Sequence, residues 1–205
     1  FESLDFFNLR QFSYINRNMN TFVTSHKNNV WFSVEDSTVG YYLPILSSTG
    51  TVTAQYFGDK FKHGGVLAGM FSWTVDGGSG VDDIFIAVSR AGDVVVYTGS
   101  GPAEADWGMK GSYYIGVLPN TPRFGSEQGG ELYLLAAYGL VSMNDLLQGV
   151  DTAALQTDID STSLTAKIAG LLRADMKDKR ELRGWDVALI PAEGGILIST
   201  PTLEG

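Results

Sequence analysis

A mainly β chain with a propeller-like arrangement is what this sequence predicts, and three observations carry the expectation. Its 25 glycines fall between short runs rich in Val, Ile, Phe and Tyr, the punctuation of many short strands joined by turns. The segment DIFIAVS is apolar at both alternating sets of positions, Ile84, Ile86 and Val88 on one side and Phe85 and Ala87 on the other, so neither face expects water. Finally, AGDVVVYTG, GGELYLLAAYG and GGILIST repeat one pattern, a glycine-led turn followed by an apolar run and a small or polar stop. Gly92, Gly130 and Gly195 head these segments. Taking out a helical insertion of roughly 27 residues brings their spacings together, near the ~40–50 residues of a propeller blade. A β-sandwich is the alternative arrangement.

Strands are expected in order at 20–25 (NTFVTS), 29–34 (NVWFSV), 41–46 (YYLPIL), 51–57 (TVTAQYF), 65–74 (GVLAGMFSWT), 83–89 (DIFIAVS) and 93–98 (DVVVYT). Further strands follow at 112–117 (SYYIGV), 131–137 (ELYLLAA) and 140–142, with a last hairpin at 185–190 (WDVALI) and 195–200 (GILIST) closed by PAEGG. The helical insertion is placed within 151–176. Asp151 serves as its N-cap, Asp160 and Ser161 break it in two, and Leu164, Ile168, Leu171 and Leu172 form its apolar stripe. Arg173, Lys177, Lys179, Arg180 and Arg183 then make a basic cluster at the helix end, read as complementing the helix dipole and pairing with Asp175, Asp178 and Glu181. Contact of this cluster with DNA or a subunit is the other reading.

Composition bounds the function. The 205 residues are 44% hydrophobic and 12% aromatic, enough for one β-rich domain with a real core over 1–205. The chain starts at Phe1 without an initiator Met, and a fragment of a larger propeller protein is the other expectation. A formal net charge of −9 argues against a general nucleic-acid binder, which neutralises phosphates with excess Lys and Arg. The absence of cysteine excludes disulfides and thiolate chemistry, and two histidines, His26 and His63, are too few for a histidine metal cluster. No apolar run approaches the ~18 residues that a membrane-spanning helix requires, so a soluble chain without a membrane span is expected.

The stretch WTVDGGSGVDD invites a chemical reading, since it sets Asp76, Asp82 and Asp83 around Gly77, Gly78 and Gly80 just after Trp73. It lacks the closing Glu and the sixth-position Gly of an EF-hand calcium loop. As a phosphate loop it carries the wrong charge, two aspartates standing where a Lys and a helix should follow. It is therefore read as a structural turn formed by Trp73, Asp76, Gly77, Gly78, Gly80, Asp82 and Asp83, with glycines supplying positive φ and aspartates bonding nearby backbone N–H groups. No G-x-S-x-G elbow accompanies the histidines, and nothing in the spacing of Asp59, Glu104 and Asp106 selects a glycosidase acid pair. Trp31, Trp73, Trp107 and Trp185 are read as core or blade-packing residues before a sugar platform. Hence no catalytic, metal or cofactor-binding residue is assigned, and the chain is not expected to be an enzyme.

The order of the pieces carries more information. From Phe61 to Leu147 the chain runs FKHGGVLAGMFSWTVDGGSGVDDIFIAVSRAGDVVVYTGSGPAEADWGMKGSYYIGVLPNTPRFGSEQGGELYLLAAYGLVSMNDLL. This string resembles the tail hub or nozzle proteins of short-tailed bacteriophages and the related packaged-DNA stabilisation proteins. The matching pieces fall at Gly64 to Leu67, Trp73 to Asp83, Ser89 to Pro102, Trp107, Gly111 to Gly116 and Gly129 to Val141, about half to two-thirds of the chain. The start, FESLDFFNLRQFSYINRN, departs from the pattern, and the chain is shorter than a full member.

The resemblance implies a propeller-like body in a homo-oligomeric ring, a hexamer, below the adaptor and portal-side tail proteins. The protein would be made in the bacterial host cytoplasm and reside in the virion. It would extend the DNA channel, retain packaged double-stranded DNA without sequence-specific binding, and let it pass at ejection. An acidic conduit repels phosphates, so retention would need a loop constriction and not charge attraction. The alternatives from other classes are a carbohydrate- or receptor-binding β module and a propeller-type polysaccharide hydrolase or lyase.

Overall fold

The computed structural model describes residues 22–44, 51–76, 81–128, 130–148, 168–190 and 195–202. Strands dominate, as expected, and they pair antiparallel in sequence order. Sheet I contains β1 (Phe22–His26), β2 (Asn29–Ser33), β3 (Val39–Tyr42) and β4 (Thr53–Tyr56). Sheet II contains β5 (Leu67–Asp76), β6 (Val81–Ser89), β7 (Asp93–Thr98) and β8 (Gly108–Tyr114). Sheet III runs β9 (Gly125–Gln128), β10 (Glu131–Ala136) and β11 (Gly139–Ser142), and sheet IV pairs β12 (Asp186–Ile190) with β13 (Gly195–Ser199). Helix α1 (Met143–Leu147) follows β11, and α2 (Ala169–Lys179) precedes β12.

The sheets stack face to face, and period-two alternation decides which layer each side chain fills. In β6 and β7, Phe85, Ala87, Val95 and Tyr97 face sheet I, and with Met70 of β5 they meet Trp31, Tyr42 and Phe57 there. Their neighbours Ile84, Ile86, Val88, Val94 and Val96 face sheet III and pack on Leu132, Leu134, Ala136 and Val141. Sheet III repeats the arrangement, since Leu135 and Leu140 turn to the other side against Trp185, Val187 and Met176. Sheets II and III are thus sandwiched, which is why DIFIAVS carries no polar alternation. Among the described residues the sheets form an open stack, with no closed barrel or propeller ring.

The first strands of successive sheets lie against one another. Phe22 of β1 packs edge-on against Phe71 of β5 at 4.9 Å, and Phe71 meets Phe124, just before β9, at 5.5 Å. Gly69 makes this approach possible, because a Cβ there would stand 2.9 Å from the Phe124 ring and 3.2 Å from that of Phe22. The line continues to β12, whose Val187 N–H donates to Arg123 O at 3.2 Å.

Several expectations need correction. The strand expected at 112–117 lies at Gly108–Tyr114. The β5–β6 hairpin is longer than expected, pairing Asp76 with Val81, so that both strands run past the expected ends at 74 and 83. Strand β9 and helix α1 were not anticipated; α1 is short, capped by Ser142 Oγ accepting from Asp145 N and held by Glu131, whose Oε1 accepts from Asn144 N at 3.0 Å. Within the expected helical insertion the described part is Ala169–Lys179, while Asp151, Asp160, Ser161 and Leu164 lie outside the described residues. Of the expected apolar stripe only Leu172 among the described residues is buried, at 3% exposure together with Met176, whereas Leu171 and Ile168 stand 68% and 46% exposed. The neighbouring layer supplies the reason, since Trp185 and Leu140 meet the helix on the face of Leu172 and Met176.

Candidate functional site

Hairpin turns and connections collect at the two ends of the sheets. At one end the connections form a hydrogen-bonded belt. Leu67 N donates to Ser37 O, Arg90 N to Val66 O, Ile115 N to Gly92 O, Leu118 N to Arg90 O, Ala137 N to Val117 O and Asn120 N to Arg180 O, all at 2.7–3.1 Å. Each segment leading to a new sheet therefore uses its backbone groups on the turns of its neighbours, which satisfies them away from strand ladders.

Within this belt sits His63, the histidine of KHGG. Its backbone N–H donates to Asp93 Oδ2 and its ring Nδ1 to Asp93 Oδ1, both at 2.7 Å. A carboxylate only accepts, so Nδ1 carries a proton and donates it to Asp93. Asp93 is 1% exposed and its own N–H donates to Ser89 Oγ, while the His63 ring lies on Tyr114 at 4.0 Å. This is the orienting half of an acid–histidine pair. Ser89 lies behind the carboxylate, bonded to the Asp93 backbone, and takes no nucleophile's place before Nε2. The pair instead ties the segment leading into β5 to the β6–β7 turn. Sequence reasoning passed over it; the available signal was that His63 and Asp93 each adjoin a glycine turn flanking the same pair of strands.

The other end carries the stretch WTVDGGSGVDD. Gly77, Gly78 and Gly80 lie outside the described residues. Asp76 and Asp82 are placed by backbone pairing, Asp76 opposite Val81 and Asp82 opposite Val75. Asp83 pairs across the ladder with Thr74, whose hydroxyl donates to Asp83 Oδ1 at 2.8 Å. Trp73 is fully buried and its indole N–H donates to Gly130 O at 2.9 Å, tying this hairpin to the β9–β10 turn. Of the seven residues, Trp73, Asp76, Asp82 and Asp83 thus belong to the paired strands β5 and β6. Burial, with Asp83 as a second cause, raises the carboxyl of Glu127 on β9 above its ordinary range, so like charges gather at this end of the first strands.

His26 stands at the same end, wholly buried between sheets I and II. Gly99 O can only accept, so Nε2 donates to it at 3.2 Å and Nδ1 accepts from Ser72 Oγ at 2.9 Å. Burial lowers its pKa first, with the Gly99 carbonyl opposing, Lys27 lowering it further and Asp83 opposing. The folded state therefore binds its proton less readily than the unfolded chain, near pH 6.5. This contribution to stability is complete above pH 6.5 and is lost as pH falls through that value towards the depressed folded one. His26→Gln, which keeps a donor and an acceptor, is expected to flatten the fall of melting temperature between pH 7 and 5; parallel profiles for both proteins would refute the assignment.

An open cleft of about 360 Å³ lies beside this region, lined by Asn29, Tyr42, Pro44, Thr53, Gly101, Ala103 and Glu104. Asp106 spans the nearby turn, accepting from Ser100 N and Oγ, and these bonds hold its carboxyl below the ordinary range. Trp31, Trp73 and Trp185 are 0–1% exposed, and Trp107 lies stacked on Tyr97 at 5.1 Å, so the tryptophans form interior packing and offer no open sugar platform. Among the described residues no group of three or more His, Cys, Asp or Glu could hold a metal ion, and no helix is long and apolar enough to cross a membrane.

Comparison with known protein families, curated proteins and solved structures gave no match.

Proposed function

We propose that this chain is a structural protein of a phage virion, a nozzle or hub component of a short tail that extends the DNA channel, retains packaged DNA and lets it pass at ejection. The observation that carries the reading is the common edge of first strands. On this reading the consecutive antiparallel sheets, stacked face to face and meeting along β1, β5, β9 and β12, serve as neighbouring blades of a propeller-like body. The string from Phe61 to Leu147 that resembles tail hub proteins spans sheets II and III and their connections. In a ring of copies, sixfold on this reading, the common edges face a central opening.

Electrostatics supports the same role. The net charge is −9, and Glu127 on β9 and Asp83 on β6, opposite Thr74 of β5, bring carboxylates to one end of the sheets, which keeps phosphates from adhering. The Gly99–Trp107 loop then acts as sterically gating material. Virions assembled without this chain are expected to fill with DNA and then lose it; virions that retain their DNA and infect normally would contradict the role.

A further inference from the structure

The two ends of the sheet stack are unlike its middle. Among the described residues, the exposed large apolar side chains are Val23 (56%) and Tyr56 (66%) on sheet I, Met109 on β8, and Ile168, Leu171, Leu182 and Leu197 (37–68%) in the layer made by α2 and sheet IV. Six of these seven lie at the ends. By strand alternation Val23 and Tyr56 point away from sheet II, because Trp31 and Tyr42 on the opposite face point towards it. Phe32, also on the outward side, is already buried, so the exposed apolar surface there flanks it.

Charge distinguishes the two ends. Arg173, Lys177 and Arg183 make no ion pair among the described residues, whereas Lys179 and Arg180 are held by Asp175 and Glu181. The expected pairing of the basic cluster therefore accounts for only part of it. Glu35 and Asp36, exposed in the β2–β3 turn of sheet I, likewise make no ion pair among the described residues. Both groups lie at the belt end of the sheets, where Arg90 is near enough to feel Glu181 on one side and Asp36 and Glu35 on the other.

We infer that the α2 and sheet IV end of one copy docks on the sheet I end of the next, with Leu171 and Leu182 meeting Tyr56 and Val23, and Lys177 and Arg183 meeting Glu35 and Asp36. The inference rests on the ring proposed above and names the surface that builds it. Because the two surfaces differ, the contact is head-to-tail, and a rotation that closes gives a ring. A polyanion fits this surface less well than a second copy. Exposed leucines among cations suit an apolar interface with a polar rim, and a chain of net charge −9 repels nucleic acid at long range.

Sedimentation of the full chain in low salt, with duplex DNA binding measured alongside, tests this. Lys177→Glu with Arg183→Glu is expected to raise the dissociation constant of self-association roughly tenfold, as is Glu35→Lys with Asp36→Asn; the asparagine respects the positive φ of 55° at that position. Combining both pairs of changes in one chain should restore most of the affinity, and unchanged melting temperatures show that the variants fold. A wild-type chain that stays monomeric, variants that associate as tightly as wild type, or variants that lose only DNA binding would each overturn the inference. Charge-sensitive assemblies without a central opening in electron micrographs would retain this interface and remove the nozzle.

Discussion

Phe85→Ala and Ile86→Ala are each expected to destabilise the protein severely, by about 3–5 and 2–5 kcal/mol, when unfolding is followed in denaturant. Both side chains are fully buried, yet they occupy different layers. Phe85 stacks among Trp31 at 4.4 Å, Trp107 at 5.5 Å and Phe57 at 6.2 Å between sheets I and II. Ile86 fills the layer towards sheet III. Truncation of either leaves a cavity that surrounding strands cannot close without breaking their ladders. Against a total stability of roughly 5–15 kcal/mol, either change consumes a large fraction. A strand with one wet face would tolerate one of the two, so a loss below about 0.5 kcal/mol at either position would disprove the sandwiched position of sheet II.

Gly92→Ala is expected to be comparably damaging, about 3 kcal/mol or more, through a different cause. Gly92 has φ of +102°, a conformation costly for any L side chain, and a Cβ there would fall 2.1 Å from Gly116 O. Since the obstacle is backbone, relief requires moving the chain between sheets II and III, and that breaks the Ile115 N to Gly92 O bond at 2.9 Å. The neighbouring Asp93 would shift with it, loosening the tie to His63. Gly92→Ala with a melting temperature within a degree or two of wild type would show that the belt does not hold these connections.

Most strands and their burial were legible because period-two patterns and glycine turns are local. The sequence of DIFIAVS shows both buried faces without any knowledge of what covers them. Short strand β9, GSEQ, was not legible, since its polar residues pair only because Gly125 to Gln128 lie against β10. The apolar stripe of α2 was misread because 3.6-residue spacing admits both Leu171 and Leu172, and the choice is made by the packing of the Met176 face on Trp185 and on Leu140, the latter distant in sequence. His63 and Asp93, 30 residues apart, become partners through the same kind of long-range placement. Around WTVDGGSGVDD the flanking strands were legible, but the cross-strand bond from Thr74 to Asp83 depends on register, which composition does not specify.

Whether the first strands line an opening is tested most directly by electron cryomicroscopy of the self-assembled chain. The account predicts a ring in which β1, β5, β9 and β12 face the centre and α2 of each copy abuts sheet I of the next. An assembly with those four strands turned outward, or one without a central opening, would contradict it.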